Sequence, residues 1–249
     1  MEGRIHSVET SGMVDGPGIR YVIFTQGCLL RCQYCHNPDT WDRNEGNLVT
    51  VTSLMEDIKK YLPYMKHSNG GVTVSGGEPL LQMEFLCELF KECKKLGIHT
   101  TIDSSGGCYS ENPDFQKKLR QLLKVTDLFL LDIKHVDEIK HKVLTGVGTK
   151  HIKNFARLLS EAGMPVWIRH VLVPGYTDSE DDLKRLGKFL QTLSNIEKIE
   201  VLPYHKMGVY KWKELGVNYQ LENVHSPNEA EVERAFNLLT AGFKNKLFS

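Results

Sequence analysis

The sequence has no long apolar runs and no excess of charge of either sign. No stretch reaches the roughly 18 uninterrupted apolar residues of a membrane-spanning helix, and residues 1–6 lack the apolar stretch of a secretory signal. Lys plus Arg and Asp plus Glu both number 31, so the formal net charge is zero. These absences argue against a membrane protein and against broad electrostatic binding of nucleic acid. We therefore expect the protein in the cytoplasm, and as a separate expectation we take it to be a monomer.

Cysteine is also scarce, with six residues in a chain of 249. That number does not indicate a disulfide scaffold in a chain of this length, and clustered cysteines in a reducing compartment more often bind metal or carry redox chemistry. Low-complexity segments, internal repeats and Pro/Ser-rich linkers are missing as well. We therefore expect a single domain over residues 1–249.

Apolar periodicity predicts alternating strands and helices along most of the chain. The predicted strands are 20–25, 71–75, 97–103, 127–132, 165–173 and 196–202, and the predicted helices are 52–66, 82–95, 113–124, 152–162, 179–193 and 228–247. Such alternation indicates an α/β fold with a parallel sheet. Because a complete (β/α)8 barrel usually needs about 250 residues for eight units, six units predict an open, partial (β/α)6 TIM-like barrel. Its chemistry is expected at the carboxyl ends of the strands.

Three cysteines lie in the loop that follows the first predicted strand, within residues 27–36. Cys28, Cys32 and Cys35 offer soft thiolate ligands of the kind that bind iron–sulfur clusters and zinc. A four-iron cluster normally takes four cysteines, so three would leave one iron open to a small molecule. The alternative is a structural zinc site that adds His36 as fourth ligand, although the adjacent Cys35 and His36 would strain to reach one ion.

The spacing C-x3-C-x2-C, with the aromatic Tyr34 before its last cysteine, resembles the signature of the radical S-adenosylmethionine (SAM) superfamily. The segment Asp-Gly-Pro-Gly-Ile-Arg at 15–20 and Cys-His-Asn at 35–37 resemble the glycyl-radical-enzyme activases of that superfamily. The similarity extends from residue 3 to residue 205 and into the C-terminal helix. It implies a partial barrel of the radical SAM type, a [4Fe–4S] cluster on Cys28, Cys32 and Cys35, and SAM as cofactor.

The resemblance also implies which residues contact SAM. A Gly-Gly turn after the second predicted strand would receive the amino group of the methionine moiety, and Tyr34 would lie close to the adenine. The implied contacts are Tyr34, Cys35, His36, Gly77, Asp132, Ile133, Lys134 and His205. By itself, the Gly-Gly turn is more often structural, and His205 would be an ordinary loop histidine.

Carboxylates end two of the predicted strands, at Asp103 and Asp132. Each is either a helix cap or part of a site, and two carboxylates close together would favour a cation between them. The resemblance implies a monovalent cation near the SAM carboxylate, bound by Asp103, Ser104, the carbonyl of Leu130, and Asp132. Asp15 is the candidate for binding the backbone of the partner's glycine loop, and a turn cap is its alternative role.

The implied partner is a glycyl radical enzyme whose glycine loop is the substrate. Residues 36–86 contain no cysteine, so the ferredoxin-like insert of several activases is absent and the single-cluster branch is indicated. Within the single-cluster branch, the activases of anaerobic ribonucleotide reductase are the second candidate, because they are typically shorter than this chain. A low-potential donor such as flavodoxin or ferredoxin would supply electrons. A radical SAM enzyme for a small molecule and a structural zinc-binding protein remain the competing classes.

Other polar and aromatic residues carry weaker signals. His135, His141 and His151 lie in polar stretches and are expected to be solvated. Trp41 and Trp212 are expected to pack. Arg169 interrupts an apolar strand, so it either faces the site or points outward to solvent.

Overall fold

The structure, a computed structural model, describes residues 1–243, which divide into two compact units. The first unit comprises Met1–Leu29 and Thr40–Leu130. The second comprises Leu30–Asp39 and Leu131–Ser249, described as far as residue 243. Among the described residues, no helix is long and apolar enough to cross a membrane.

Within residues 1–243, eight strands form one mixed sheet. They are β1 Glu2–Gly12, β2 Arg20–Thr25, β3 Asn47–Thr50, β4 Gly71–Gly76, β5 His99–Ser104, β6 Leu128–Asp132, β7 Val166–Leu172 and β8 Ile196–Pro203. The strand order is β3-β1-β2-β4-β5-β6-β7-β8. The order begins at β3 and ends at β8, so the sheet is open, which confirms the expected open α/β fold.

Nine α-helices connect or flank the strands of the described chain. They are α1 Val51–Ile58, α2 Leu62–Ser68, α3 Met83–Lys95, α4 Pro113–Leu123, α5 Glu138–Thr145, α6 Lys150–Glu161, α7 Glu180–Leu190, α8 Val209–Glu214 and α9 Glu229–Thr240. Short 3₁₀ turns occupy Pro38–Thr40, Lys59–Tyr61 and Pro79–Gln82. Sequence-local signals start several helices: Asp137 caps α5, and Asn228 with Glu231 forms a capping box on α9.

In the first unit, β2, β4 and β5 are parallel and mostly buried, as the alternation of strands and helices predicts. The sequence did not predict β1 and β3, which pair antiparallel with each other while β1 also pairs with β2. Their alternation is weak because β1 has a mixed burial pattern and carries few apolar residues. The antiparallel additions extend the expected six-strand parallel sheet to eight strands.

In the second unit, β7 and β8 run parallel, and Arg169 on β7 lies opposite Glu200 on β8. Their side chains form an ion pair at 3.1 Å, with Arg169 almost buried, so this arginine neither faces solvent nor remains unpaired. α7 packs closely on α9 at Gly187, where a Cβ would collide with the carbonyl oxygen of Leu239. The expected solvation of His135 and His141 is wrong, since both are buried.

The predicted helix 52–66 is interrupted, because α1 ends at Ile58 and a 3₁₀ turn precedes α2. Pro63 accounts for the break: it has no N–H to donate to the preceding turn, and the first turn of a new helix tolerates it. The predicted closing helix 228–247 is observed as α9, which ends at Thr240, and residues 244–247 lie outside the described part of the chain.

Candidate cofactor site

The cysteine loop leaves β2 and returns to its starting point. In the first unit, the Gly27 N–H donates to the Thr40 carbonyl at 2.7 Å, and the Cys28 N–H donates to the Trp41 carbonyl at 3.3 Å. These two bonds close the base of the loop. Among the described residues none of the six cysteines forms a disulfide, so the triplet keeps its thiol groups.

In the second unit, the middle of the loop caps the C-terminal end of α5. The N–H of Arg31 donates to the Thr145 carbonyl at 2.7 Å, and the N–H of Gln33 donates to the Leu144 carbonyl at 3.0 Å. The Gln33 side chain donates to the Val143 carbonyl at 3.0 Å, and the Gly146 N–H donates to the Lys142 carbonyl. All four terminal carbonyls of the helix are thereby satisfied. The sequence did not predict α5, whose apolar periodicity is weak.

Tyr34, which is buried, and the largely buried Asp132 and Lys134 form a polar group beside Cys32 and Cys35. Lys134 pairs with Asp132 and lies 5.5 Å from the centre of the Tyr34 ring. Burial raises the pKa of Tyr34 far above its usual value. Burial lowers the pKa of Lys134, but Asp132, Tyr34 and Cys32 more than offset it, so the net shift is upward. The ammonium group of Lys134 therefore stays charged.

Two buried atoms of this group have no hydrogen-bond partner among the described residues. They are the hydroxyl of Tyr34 and the Oδ1 oxygen of Asp132. Buried polar atoms are normally hydrogen-bonded, and an orphan costs free energy until a ligand or water pairs with it. A carboxylate oxygen and a phenol beside two thiols fit a ligand that carries an ammonium group and a heterocycle, as SAM does.

The two histidines implied as SAM contacts are neighbours in the second unit. The rings of His36 and His205 meet edge to face, with 5.1 Å between their centres. Burial, with the charges of His205 and Lys211, lowers the pKa of His36. Ile133, the remaining implied contact of the second unit, is fully buried; its N–H donates to the Arg169 carbonyl at 3.0 Å, and its carbonyl lies 2.8 Å from Nδ1 of His170.

The Gly-Gly turn of the first unit packs against the base of the cysteine loop. Gly76 has φ +104°, which favours glycine, and a Cβ on Gly77 would collide with the Gly27 carbonyl oxygen. The N–H of Glu78 donates to that same carbonyl at 2.8 Å. Glycine is therefore required here for a close backbone approach, whatever ligand the turn contacts.

Glu78 is a residue whose role the sequence did not reveal. Its buried carboxylate accepts from the hydroxyl of Ser104 at 2.6 Å and from that of Ser105 at 2.7 Å. Burial raises its pKa, while these hydrogen bonds oppose the shift. Asp103, the residue before Ser104, accepts a hydrogen bond from the Ser75 hydroxyl at 2.8 Å. A carboxylate directly after a Gly-Gly turn was the available signal, but only the fold places the serines beside it.

Arg20 organises the loop that contains Asp15. Its fully buried guanidinium donates to the carbonyls of Pro17 and Val72 and to the hydroxyls of Thr73 and Thr101, at 2.7–3.2 Å. The Thr73 hydroxyl in turn donates to the Asp15 carbonyl at 2.6 Å. Burial lowers the pKa of Arg20 to about 10, so it stays charged at neutral pH. The backbone around Asp15 is thus fixed from inside the unit.

Among residues 1–243, no three side chains of His, Cys, Asp or Glu are arranged as ligands of a single metal ion. A four-iron cluster differs from such a site, because each thiolate binds a different iron. Leu130, whose carbonyl the resemblance implies as a cation ligand, is fully buried at the end of the first unit.

Comparison with known proteins identifies the class of protein. The family model described as the radical SAM superfamily matches residues 22–187. Streptococcus suis SuiB bound to its precursor peptide SuiA superposes with a TM-score of 0.65 over 91% of this chain and 47% of that chain, at 19% identity, which is a likeness of fold alone. The chain belongs to the radical SAM superfamily. This family is therefore preferred to the alternative of a structural zinc-binding protein.

Closer relatives define the family within that superfamily. The pyruvate formate-lyase-activating enzyme of Staphylococcus epidermidis is 58% identical over 95% of this chain and 94% of its own length. The enzyme of that name from Staphylococcus aureus is 56% identical over 99% and 98%. A domain of pyruvate-formate lyase-activating enzyme from Bacteroides vulgatus superposes with a TM-score of 0.56 at 29% identity, over 69% of this chain and 94% of that domain. The chain belongs to the family of pyruvate formate-lyase-activating enzymes.

Proposed function

We propose that this protein activates pyruvate formate-lyase by generating a radical on a glycine Cα of that enzyme. The observation that carries the proposal is 56–58% identity, over almost the whole chain, to relatives named for this activity. Thiols outside any disulfide at Cys28, Cys32 and Cys35, and orphaned buried atoms beside two of them, support it.

Cys28, Cys32 and Cys35 would hold the [4Fe–4S] cluster and leave one iron for the amino and carboxylate groups of SAM. When bound, the reduced cluster supplies one electron that cleaves SAM to methionine and a 5′-deoxyadenosyl radical, which takes a hydrogen atom from the glycine. The protein's residues bind and orient. Asp132 and Lys134 provide opposite charges for the methionine moiety, and Tyr34, His36 and His205 provide aromatic surface for the adenosine.

Two loops of the first unit complete the assignment. The Gly77 turn would receive the SAM amino group at its backbone. The rigid 15–20 segment would present Asp15 to the backbone of the partner's glycine loop. No side chain is required as an acid or base, since the reaction moves a hydrogen atom rather than a proton.

The test mixes the anaerobically reconstituted protein with SAM, a reductant and each candidate partner. Pyruvate formate-lyase should acquire a glycyl doublet in the electron paramagnetic resonance spectrum and then produce formate. A doublet only on anaerobic ribonucleotide reductase would reassign the partner and keep the chemistry. Failure to cleave SAM, with four irons bound, would refute the proposal.

We further propose a monovalent cation near the SAM carboxylate, with Asp103, Ser104, the Leu130 carbonyl and Asp132 as ligands. The Ser104 hydroxyl gives its proton to Glu78 and accepts from the Gly106 N–H at 2.9 Å, which leaves one lone pair for a cation. Replacing K⁺ and Na⁺ by a bulky organic cation should lower the rate of SAM cleavage. Asp103→Asn should lower it too, whereas the exposed control Asp181→Asn should not. A rate that ignores both changes removes the cation.

The electron donor is proposed to be a low-potential flavodoxin or ferredoxin. The protein is proposed to act as a cytoplasmic monomer.

A further inference from the structure

The segment that follows β8, residues 204–221, contacts the chain immediately after the last cysteine of the triplet. We call it the cover segment. Its Trp212 is almost fully buried, and the indole N–H donates to the carbonyl oxygen of Cys35 at 2.9 Å. The two residues are 177 positions apart in the sequence. Trp212 therefore packs, as the sequence predicts, and also holds the backbone of a proposed cluster ligand.

The neighbouring residue of α8 makes a second attachment. The Lys211 ammonium donates to Oδ1 of Asn37 at 2.8 Å and pairs with Oδ2 of Asp39 at 2.9 Å. Both charged side chains of this pair are partly buried, with 15% and 27% exposure, so solvent screens it less than an exposed pair. Consecutive side chains of one short helix thus bind both ends of residues 35–39.

Further contacts fix the cover segment itself. At Gly208, a Cβ would crowd the carbonyl oxygen of His36 at 2.5 Å. The rings of Trp212 and Tyr219 pack edge to face with 5.2 Å between their centres, and the Tyr219 hydroxyl lies 2.7 Å from that of Tyr204. The indole is therefore held in one orientation by a packed aromatic neighbour and not by the Cys35 carbonyl alone.

We propose that Trp212 and Lys211 are positioning residues that fix the backbone of residues 35–39, and so control how firmly the cluster and SAM are held. This inference rests on the proposed function. Neither side chain is assigned to the reacting atoms. A thiolate keeps its iron only while its backbone stays in place, and partners that orient ligands commonly affect metal retention. Cys35 is the last ligand of the triplet, and its carbonyl and the following residues are the part of the loop that the cover segment secures.

The first experiment measures iron release from the anaerobic, reconstituted protein to an excess of ferrous chelator. Trp212→Phe keeps an aromatic ring and loses the N–H donor, so iron release should be about tenfold faster than in the wild type. Trp167→Phe is the matched control, since Trp167 packs against Lys198 on the strands of the same unit and should release iron at the wild-type rate. Thermal unfolding followed by circular dichroism verifies that each variant is folded.

The second experiment tests Lys211 by its ion pair. Lys211→Met and Asp39→Asn should each raise the KM for SAM several-fold with a smaller change in kcat, and the double variant should be no worse than either single variant. Lys211→Arg should restore most of the affinity, and Lys213→Met, an exposed lysine on the same helix, should behave as the wild type.

The outcomes separate this inference from the proposed function. A wild-type protein that binds no four-iron cluster refutes the function. A wild type with four irons, in which neither Trp212→Phe nor Lys211→Met accelerates iron release or raises the KM for SAM, overturns the inference alone. If Trp212→Phe does not fold, the Lys211 variants and the double variant decide.

Discussion

At the scale of single residues, Glu78 connects the two loops that flank the Gly-Gly turn in the first unit. Its backbone N–H donates to the Gly27 carbonyl at the base of the cysteine loop, and its carboxylate accepts from Ser104, the last residue of β5, and from Ser105, which follows it. The residue is fully buried. Its role is therefore to keep the proposed cofactor loops in register with each other.

Removing this carboxylate should be costly to stability. Glu78→Ala leaves two seryl hydroxyls without their buried acceptor, and we expect the free energy of unfolding to fall by about 2–4 kcal/mol. Urea unfolding followed by circular dichroism measures it. The control Glu84→Ala removes an exposed carboxylate whose nearest lysine is 3.5 Å away, and should change stability by less than about 0.5 kcal/mol. Equal effects of the two substitutions would contradict the role given to Glu78.

Residue types at the site could be predicted from the sequence, but their partners could not. The thiols, Tyr34 and Asp132 stand in or beside recognisable motifs, and the structure groups Tyr34, Asp132 and Lys134 beside Cys32 and Cys35. Trp212 lies in no recognisable motif. Its hydrogen bond joins it to Cys35, which is 177 positions earlier in the sequence, so the contact depends on the fold. The buried state of His141 was missed for a similar reason: its polar neighbours in sequence are not its neighbours in space.

At the scale of elements, the cysteine loop and the helices differ in how they use cysteine. Cys87 and Cys93 lie buried on α3, and Cys108 follows β5. Burial raises the pKa of Cys93 to about 12, and burial also raises that of Cys108. Both thiols stay protonated, which makes them poor metal ligands.

Substitution of the six cysteines should therefore split into two groups. Cys28→Ala, Cys32→Ala and Cys35→Ala should each abolish SAM cleavage and the four-iron content of the anaerobic protein. The same change at Cys87, Cys93 or Cys108 should retain both, at a cost of about 1 kcal/mol for the buried Cys93. Iron analysis and a SAM-cleavage assay measure the result. Retention of a full cluster without Cys32 would remove the triplet from the assignment.

Helix packing in the second unit gives another prediction. Alanine is normally a better helix former than glycine, by about 1 kcal/mol. At Gly187, however, the added methyl group would push against the Leu239 carbonyl of α9, so Gly187→Ala should lower the free energy of unfolding by about 1–3 kcal/mol. Lys188→Ala, on the exposed side of α7, is the control and should be nearly neutral. A stabilising Gly187→Ala would mean that the two helices are not in close contact.

At the scale of the whole molecule, the parallel part of the fold could be predicted and the antiparallel part could not. All six predicted strands are present, because they are short runs rich in β-branched residues and are separated by Gly or Pro. β1 and β3 escaped prediction because their residues are mixed and partly exposed. α5 and α8 are short, and their positions depend on contacts with residues 31–39 rather than on their own periodicity.

The partly buried His99 and the buried His135 make the stability of the molecule depend on pH. Burial and the charge of Arg20 lower the pKa of His99 to about 4, and burial lowers that of His135 to about 4 as well. The folded state then binds fewer protons than the unfolded state, whose histidines titrate near 6.5. The free energy of unfolding should be constant with respect to these groups above about pH 6.5 and should fall as the pH decreases towards about 4, by up to about 3 kcal/mol for each histidine.

Denaturant unfolding at a series of pH values tests this dependence. In His99→Gln the loss between pH 6.5 and 4 should be smaller than in the wild type, because one of the two titrations is gone. His67→Gln replaces an exposed histidine and should leave the profile unchanged. An identical profile in all three proteins would show that His99 takes up its proton without opposing the fold.

The capping of α5 by the cysteine loop has a consequence for the slow motions of the protein. The carbonyls of Val143, Leu144 and Thr145 are satisfied by Gln33 and Arg31, so the helix end and the loop can open only together. Deuterium uptake by the amides of the last turn of α5 should therefore depend on whether the cysteine loop, more than a hundred residues away in sequence, holds iron. Loading iron should slow this uptake, and stripping iron should speed it, while the amides of α3 remain unaffected.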